Sequence, residues 1–274
     1  MDLDFVCVGP QRTGTTWMYQ MLREHPQLFV PDEIKETMFF DRRYERGMSW
    51  YAQYFDKSRT GQLCGEVAPT YFDVPEVPER VYEVSPEASI IVSLRHPVER
   101  AFSLYLHHLR KGRVSGDFRD AISQKPRILT AGHYARHVAR WKSVFGEKQI
   151  HFLFLDDIKN RPQFVLGQMC SWLGVNAIDQ FSGSNKKVNA ASMPRFPLLA
   201  KAAAAFTTWL HEHGLHLIVD IGKRMGIKKL VYEGREDKMP ELTQSDRTEL
   251  LTEYEEDIAF MEGMTGRNLS HWRK

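Results

Sequence analysis

The sequence predicts an α/β fold in which a central, mostly parallel sheet is flanked by helices. Short apolar runs of strand length alternate along the chain with segments whose apolar residues recur at helical spacing. The run from Ala88 to Leu94 is largely apolar, which is typical of a central parallel strand buried on both faces. With 274 residues, 42% of them hydrophobic, the chain is long enough to form a large core.

The predicted elements alternate along most of the chain. The predicted strands are Asp4 to Val8, Gln62 to Val67, Ala88 to Leu94 and Gln149 to Leu155, with a short apolar piece from Leu28 to Val30. The predicted helices are Gly14 to Glu24, Val77 to Val84, Pro97 to Arg110, His133 to Phe145, Pro162 to Leu173 and Thr243 to Met264. This alternation predicts three layers, with helices on both faces of the sheet.

Composition and charge narrow the range of partners and locations. The net charge is only +2, so nucleic acid is not predicted as a partner. The cysteines, Cys7, Cys64 and Cys170, are far apart in the chain, and we expect reduced thiols. No apolar run reaches the length of a membrane span, and the acidic residues 1–4 lead directly into the first strand. We therefore expect a cytoplasmic protein without a membrane partner, and the sequence makes no prediction of its oligomeric state.

The turn between the first strand and the first helix predicts an anion-binding site. Gly9, four residues and then Gly14 fit the P-loop template G-x-x-x-x-G-K-[ST], except that Thr15 stands where the template has lysine. Such a turn directs backbone N–H groups and the positive end of the helix dipole at one point. Arg12, inside the loop, can hold a phosphate or sulfate through two parallel hydrogen bonds but is a poor proton donor. We therefore predict a P-loop-like fold whose loop binds a phosphate or sulfate group, with charge stabilisation by Arg12.

Four segments together resemble the sulfotransferases that use 3′-phosphoadenosine 5′-phosphosulfate (PAPS). Residues 12–17 resemble the family's 5′-phosphosulfate loop, P-K-S-G-T-T-W, and residues 94–103 resemble its 3′-phosphate signature. Residues 35–41 are similar to the K-E-x-H-F-F segment of heparan sulfate sulfotransferases. Gly132 to Tyr134, with Trp141, resembles a helix of the same subgroup.

The resemblance implies an enzyme that transfers a sulfuryl group from PAPS to a hydroxyl or amine by in-line displacement. The product would be 3′-phosphoadenosine 5′-phosphate (PAP), and no metal is required. Glu36 is then the catalytic base, and Arg12 stabilises the leaving phosphate. The donor-binding residues predicted from the loop and from the resemblance are Arg12, Thr13, Gly14, Thr15, Thr16, Trp17, Arg95, Ser103, Lys186, Lys187 and Asn189. The acceptor would be a carbohydrate or a small molecule.

The resemblance also guides the expected domain organisation. It is clearest from about Phe5 to Leu173 and weakens beyond. We predict a single sulfotransferase domain over residues 1–274. Within it, residues 1–181 would form the nucleotide-binding and catalytic core, and residues 182–274 a nucleotide-closing loop and C-terminal helices.

The chain departs from the family's pattern at three positions. Arg12 replaces the loop lysine, Met38 replaces the histidine that follows the glutamate, and Val67 stands where heparan enzymes carry a lysine. The first change favours charge stabilisation over proton donation to the leaving phosphate. The other two weigh against polysaccharide recognition.

Several candidate residues also have an ordinary structural interpretation. Glu36 would be a surface carboxylate paired with Lys35. His107 and His108 on the long predicted helix are the rival bases, with His107 first. The remaining structural interpretations are Arg95 paired with Glu99 or Glu66, Trp17 in the core, and a solvated loop at Lys186, Lys187 and Asn189. The alternative functions are a P-loop kinase-like phosphotransferase and a non-catalytic nucleotide-binding protein.

Overall fold

The computed structural model of the protein describes residues 2–178 and 239–274. Its strands are β1 Phe5–Val8, β2 Leu28–Phe29, β3 Leu63–Val67, β4 Ser89–Leu94 and β5 Ile150–Phe154. The α-helices in the described ranges are α1 Thr15–Glu24, α2 Phe39–Arg42, α3 Met48–Ala52, α4 Val77–Val84, α5 Pro97–Arg110, α6 Phe118–Gln124, α7 Arg127–Thr130, α8 Tyr134–Phe145, α9 Leu155–Asn160, α10 Pro162–Leu173, α11 Gln244–Glu253 and α12 Glu255–Thr265.

The described strands form one parallel sheet in the order β2-β3-β1-β4-β5, flanked by helices. The central strand β1 pairs with β3 on one side and with β4 on the other, where Val8 lies opposite Val92. Every residue of β1 is buried, which explains its apolar sequence. Parallel strands all end at the same edge, so the residues that follow β1, β3 and β4 are brought together there. The α/β class predicted from the sequence is confirmed.

One buried cluster joins α1 and α10 to the sheet. Its members are apolar side chains from these helices and from neighbouring strands, including Cys7, Met18, Met21, Leu22, Ile91, Leu153, Val165, Leu166 and Met169. The apolar residues of α1 lie on the face that contacts this core, as their helical spacing predicts. The cluster fixes α1, and therefore the turn that leads into it.

The predicted strands and helices are confirmed to within one or two residues at their ends, with one exception. The single helix predicted from Thr243 to Met264 is wrong, because α11 and α12 are separate helices that meet at Tyr254. Tyr254 has a non-helical backbone (φ −95°, ψ 7°) and a fully buried side chain. Its ring packs against His133, with 5.4 Å between ring centroids. Burial of this aromatic ring accompanies the interruption of the helix.

The described chain divides into two compact units. The first holds residues 2–100, 130–178 and 251–274 and contains the whole described sheet. The second holds residues 101–129 and 239–250, and Arg119 within it forms ion pairs with Asp246 and Glu249. The single domain with a division after residue 181 stays a prediction. No helix in the described parts of the chain is both long and apolar enough to cross a membrane.

Candidate active site

The turn between β1 and α1 has the backbone conformation of an anion-binding loop. Gly9 and Gly14 have φ values of 121° and 100°, and Arg12 has a φ of 81°. A Cβ atom at Gly9 would lie 2.5 Å from the Ser93 carbonyl oxygen, so only glycine fits beside β4. Left-handed residues before a helix N-terminus turn successive N–H groups towards one point. The spacing of Gly9 and Gly14 in the sequence therefore corresponds to a loop with the backbone conformation that the P-loop template predicts.

Side-chain hydrogen bonds tie this loop to the neighbouring strand. The Thr13 hydroxyl donates to the Pro10 carbonyl over 2.8 Å and shares a 2.6 Å hydrogen bond with the Ser93 hydroxyl of β4. Thr13 is fully buried. Its side chain thus braces the loop, so any contribution of Thr13 to donor binding would come from its backbone.

Arg95 lies beside the loop, as its position at the end of β4 predicts. Its Nη1 atom lies 3.4 Å from the Arg12 carbonyl oxygen, to which it donates. Burial lowers the pKa of the Arg95 guanidinium from its usual value. The Tyr134 hydroxyl donates to the Arg95 carbonyl over 2.6 Å and fixes the backbone there. The Arg95 guanidinium therefore lies against the backbone of the loop at one edge of the sheet.

The carboxylates considered as partners of Arg95 differ in their positions. A Glu99 carboxylate oxygen lies 3.7 Å from Arg95 Nη2, at the long end of ion-pair distances. Glu66 instead accepts hydrogen bonds from Thr37 and two tyrosines. Glu99 is thus an ion-pair partner of Arg95, and Glu66 belongs to another part of the site.

Lys35 links the loop to the predicted base. Its Nζ atom donates to the Thr15 hydroxyl oxygen over 3.0 Å and to the Glu36 carboxylate over 3.1 Å. Glu36 is therefore paired with Lys35, as the structural interpretation expects, but this pair lies against the anion-binding loop. The side chains of Lys35 and Glu36 are 22% and 20% exposed, so both can be reached by a ligand. The sequence indicated the ion pair but gave no sign of the contact with Thr15.

The turn that carries Glu36 is fixed by a buried carboxylate. The Thr37 N–H, next to Glu36 in the chain, donates to Glu66 Oε1 over 2.6 Å. The hydroxyls of Tyr51 and Tyr71 donate to Glu66 Oε2 over 2.9 and 3.0 Å. Burial raises the pKa of Glu66 to about 7, against the opposing effect of these hydrogen bonds. Sequence analysis missed this role of Glu66, although a lone glutamate among mostly apolar residues of β3 was a signal for it.

The aromatic residues after Glu36 pack into the interior. Phe39 stacks on Tyr51 with 4.5 Å between ring centroids, and Phe40 contacts Tyr71 edge to face at 5.7 Å. Both phenylalanines are fully buried. They anchor the turn rather than forming an open apolar wall, and Met38 takes a left-handed conformation (φ 56°) to start α2.

Other predicted residues lie in several places. Trp17 is only 6% exposed and belongs to the core cluster, which agrees with its structural interpretation. Thr16 is half-buried in the first turn of α1. Ser103 and the rival base His107 lie on the part of α5 that belongs to the second unit. Lys186, Lys187 and Asn189 lie outside the described residues. The roles predicted for these residues in donor binding and catalysis stay predictions.

Comparison with known families identifies the chain. The family model described as "Sulfotransferase domain" matches residues 2–202. The chain belongs to the sulfotransferase family. The resemblance found in the sequence motifs is thereby confirmed.

The sulfotransferase relatives include enzymes named for heparan sulfate. The chain is 31% identical to human heparan sulfate glucosamine 3-O-sulfotransferase 6 over 205 residues, which cover 71% of this chain and 58% of that protein. It is 27% identical to bifunctional heparan sulfate N-deacetylase/N-sulfotransferase 1 of Caenorhabditis elegans over 264 residues, covering 90% of this chain and 28% of that protein. The chain thus spans little more than a quarter of the length of that bifunctional relative.

Solved sulfotransferase structures share the fold. A sulfotransferase from Alicyclobacillus acidocaldarius aligns with a TM-score of 0.71 and 24% identity over 100% of both chains. The sulfotransferase domain from the curacin biosynthetic pathway aligns with a TM-score of 0.50 and 16% identity over 69% of this chain and 79% of that one. These likenesses support the P-loop-like architecture.

The donor of sulfotransferases is PAPS, and the described loop fits its phosphosulfate end. The glycine at position 9 leaves room where a side chain would collide with β4, and Arg12, Lys35 and Arg95 supply positive charge around the loop. Within residues 2–178 and 239–274, no group of three or more His, Cys, Asp or Glu side chains is placed to hold a metal ion.

Proposed function

We propose that this chain transfers a sulfuryl group from PAPS to a carbohydrate, with Glu36 as the general base. One observation carries this proposal: Lys35 Nζ contacts both Thr15 Oγ1 of the loop and Glu36 Oε1. A single ammonium group, that of Lys35, therefore links the predicted base to the predicted phosphosulfate site. A base beside the acceptor and cations beside the leaving phosphate are what sulfuryl transfer requires.

The residues divide the chemistry between them. Bound PAPS supplies an activated sulfuryl group, whose bond to the 5′-phosphate oxygen breaks as a bond to the acceptor oxygen or nitrogen forms. Glu36 removes the acceptor's proton. Arg12 and the N–H groups of the loop hold the 5′-phosphate and stabilise its growing negative charge. Arg95 holds the 3′-phosphate through charge-assisted hydrogen bonds.

A carbohydrate acceptor is favoured by the relatives and by the surface beside Glu36. The guanidinium carbons of Arg43 and Arg46 lie 5.7 and 5.1 Å from the ring of Trp50. Arg43 also donates to the Thr37 carbonyl over 3.0 Å, which ties this surface to the turn that carries Glu36. Aromatic rings and arginines together suit a sugar that carries negative charge. The names of the relatives refer to heparan sulfate, which supports a carbohydrate acceptor, whereas Met38 and Val67 weigh against a polysaccharide as that carbohydrate.

Two experiments test the proposed function. Calorimetry should detect binding of PAP and much weaker binding of ATP with Mg²⁺; the reverse order would favour the kinase-like alternative. A screen with labelled PAPS should then compare glucosamine oligosaccharides with small alcohols and phenols. Label transferred only to the small molecules would contradict the carbohydrate acceptor, and PAP binding without any transfer would favour a non-catalytic nucleotide-binding protein. The cytoplasmic location remains a proposal, to be tested by cell fractionation.

A further inference from the structure

The anion-binding loop lacks its template lysine, but a lysine from elsewhere in the chain contacts the same position. Thr15 stands where the template places lysine, and its hydroxyl oxygen accepts a 3.0 Å hydrogen bond from Lys35 Nζ. Lys35 lies in the segment between β2 and α2, twenty residues further along the chain. Its ammonium group is therefore placed at the N-terminus of α1 although its backbone belongs to another loop.

The surroundings of Lys35 leave it able to bind a ligand. An ammonium group has three N–H donors, and the hydrogen bonds to Thr15 and Glu36 use two of them. The side chain is 22% exposed, so an anion entering the loop can reach the third donor. Thr15 itself is only 5% exposed and offers no charge.

We propose that Lys35 takes the place of the lysine that the P-loop template has at position 15, and that it binds the 5′-phosphosulfate end of the donor directly. This inference rests on the proposed function, since it assumes that the loop holds the 5′ end of PAPS. Lys35 would then be a second cation at the leaving group besides Arg12. The two differ in kind, because the ammonium is a compact point charge whereas the guanidinium is a planar fork.

The pairing of Lys35 with Glu36 gives the proposal a mechanistic consequence. As Glu36 takes up the acceptor's proton, its carboxylate becomes neutral and Lys35 loses its counter-charge in the protein. In the same step the acceptor's electron pair forms the bond to sulfur, and the pair of the broken sulfur–oxygen bond stays on the 5′-phosphate oxygen. Lys35 can therefore neutralise the negative charge that forms on the 5′-phosphate oxygen as the Glu36 carboxylate loses its negative charge. The same ammonium group thus serves both halves of the reaction.

The test measures binding rather than turnover. PAP and adenosine 3′-phosphate, which lacks the 5′-phosphate, are titrated into the wild type and into Lys35→Met by calorimetry at one ionic strength. We expect Lys35→Met to weaken PAP binding by about tenfold or more, because a charge-assisted hydrogen bond is lost. Its affinity for adenosine 3′-phosphate should stay within about twofold of the wild type, because that ligand has no group for Lys35 to hold.

Two matched variants control for charge and for folding. Lys57→Met removes a lysine of the same unit whose Nζ lies 2.6 Å from Glu33 and which has no described contact with the loop. It should bind both ligands as the wild type does. Lys35→Arg keeps the positive charge and should recover most of the PAP affinity, and the urea midpoint of each variant establishes that it folds.

The outcomes separate this inference from the function on which it rests. If the wild type binds PAP but Lys35→Met binds it equally well, the role of Lys35 is refuted and the proposed function stands. Equal losses for PAP and adenosine 3′-phosphate would also refute it, because they would indicate a general disturbance of the site. If the wild type does not bind PAP at all, both proposals fail.

Discussion

The donor side and the acceptor side of the site are held in place by different means. The donor side is the loop from Gly9 to Thr16 with Arg95, and it is positioned by backbone geometry at the ends of two neighbouring strands. The acceptor side is the turn from Lys35 to Phe40, and it is positioned by the buried Glu66 carboxylate and its tyrosine partners. A backbone motif leaves a spacing pattern in the sequence, whereas a side-chain cluster assembled from separate segments does not. If the two sides are independent, a change on one of them should leave the other intact.

The largest expected effect is on the donor side, at Gly9. Gly9→Ala would force a left-handed backbone on alanine and place its Cβ 2.5 Å from the Ser93 carbonyl oxygen. We expect the free energy of unfolding to fall by about 3 to 5 kcal/mol from strain and overpacking. Urea unfolding of the variant and of the wild type measures this fall in the free energy of unfolding. Gly61→Ala is the control, because Gly61 also has a positive φ (86°) but has no heavy atom within 4 Å of the added Cβ. Equal losses in the two variants would show that contact with β4 is unimportant.

On the acceptor side, Glu66 makes stability depend on pH. Burial raises its pKa to about 7 from 4.5, so the folded protein holds this proton more tightly than the unfolded chain does. The stabilisation from protonated Glu66 is fully present below the pKa of this group in the unfolded chain. It is lost as pH rises through the pKa of the group in the folded protein. Between pH 4.5 and 8 the wild type should therefore lose about 3 kcal/mol of stability through this group.

Glu66→Gln should remove this part of the pH dependence, because a glutamine does not titrate. Unfolding free energies measured across the same pH range provide the comparison, and the exposed Glu79→Gln is the control. The same pH slope in Glu66→Gln as in the wild type would contradict the assignment to Glu66.

The next effect is on donor binding by Arg95. Arg95→Ala should weaken PAP binding by about thirtyfold, the loss expected for hydrogen bonds to a charged group. Affinity for adenosine 5′-phosphate, which lacks the 3′-phosphate, should change little, and the exposed Arg59→Ala should affect neither ligand. Equal losses for both nucleotides would instead mean that Arg95 acts by holding the loop through the Arg12 carbonyl.

The smallest expected effect concerns one tyrosine of the acceptor side. Tyr51→Phe removes one of the hydroxyls that donate to Glu66 and should cost about 1 kcal/mol of stability at neutral pH. Tyr54→Phe, at a half-buried tyrosine three residues away, is the control. PAP affinity should not change in either variant, and a loss in Tyr51→Phe would show that the two sides are not independent.

The sequence predicted the structure of the loop on the donor side well, because the determinants of that loop are local. The run of apolar residues, Gly9, Gly14 and the following helix are contiguous, and Arg95 directly follows a strand that must pair with β1. Thr13 was less predictable: its place in the motif suggested ligand binding, but its hydroxyl bonds within the loop and to Ser93. Sequence spacing does not determine the direction of such a side chain.

The acceptor side was predicted only in part. Glu36 was named from its motif, but the contact of Lys35 with Thr15 and the hydrogen bonds to Glu66 join residues that are 20 to 29 positions apart. Such contacts follow from how β2, β3 and α1 pack, and no periodicity encodes them. The break at Tyr254 was missed because the helical pattern continues across this residue, which is buried and has non-helical backbone angles.

The most direct test of the two-sided account is a comparison of binding and turnover in Glu36→Gln. The variant keeps the size of the side chain but cannot act as a base. We expect its PAP affinity, measured by calorimetry, to stay within about twofold of the wild type, while its rate of sulfuryl transfer to the acceptor identified by the screen falls by about a hundredfold or more. Undiminished turnover with intact PAP binding would contradict the account and move the base elsewhere, with His107 as the first candidate.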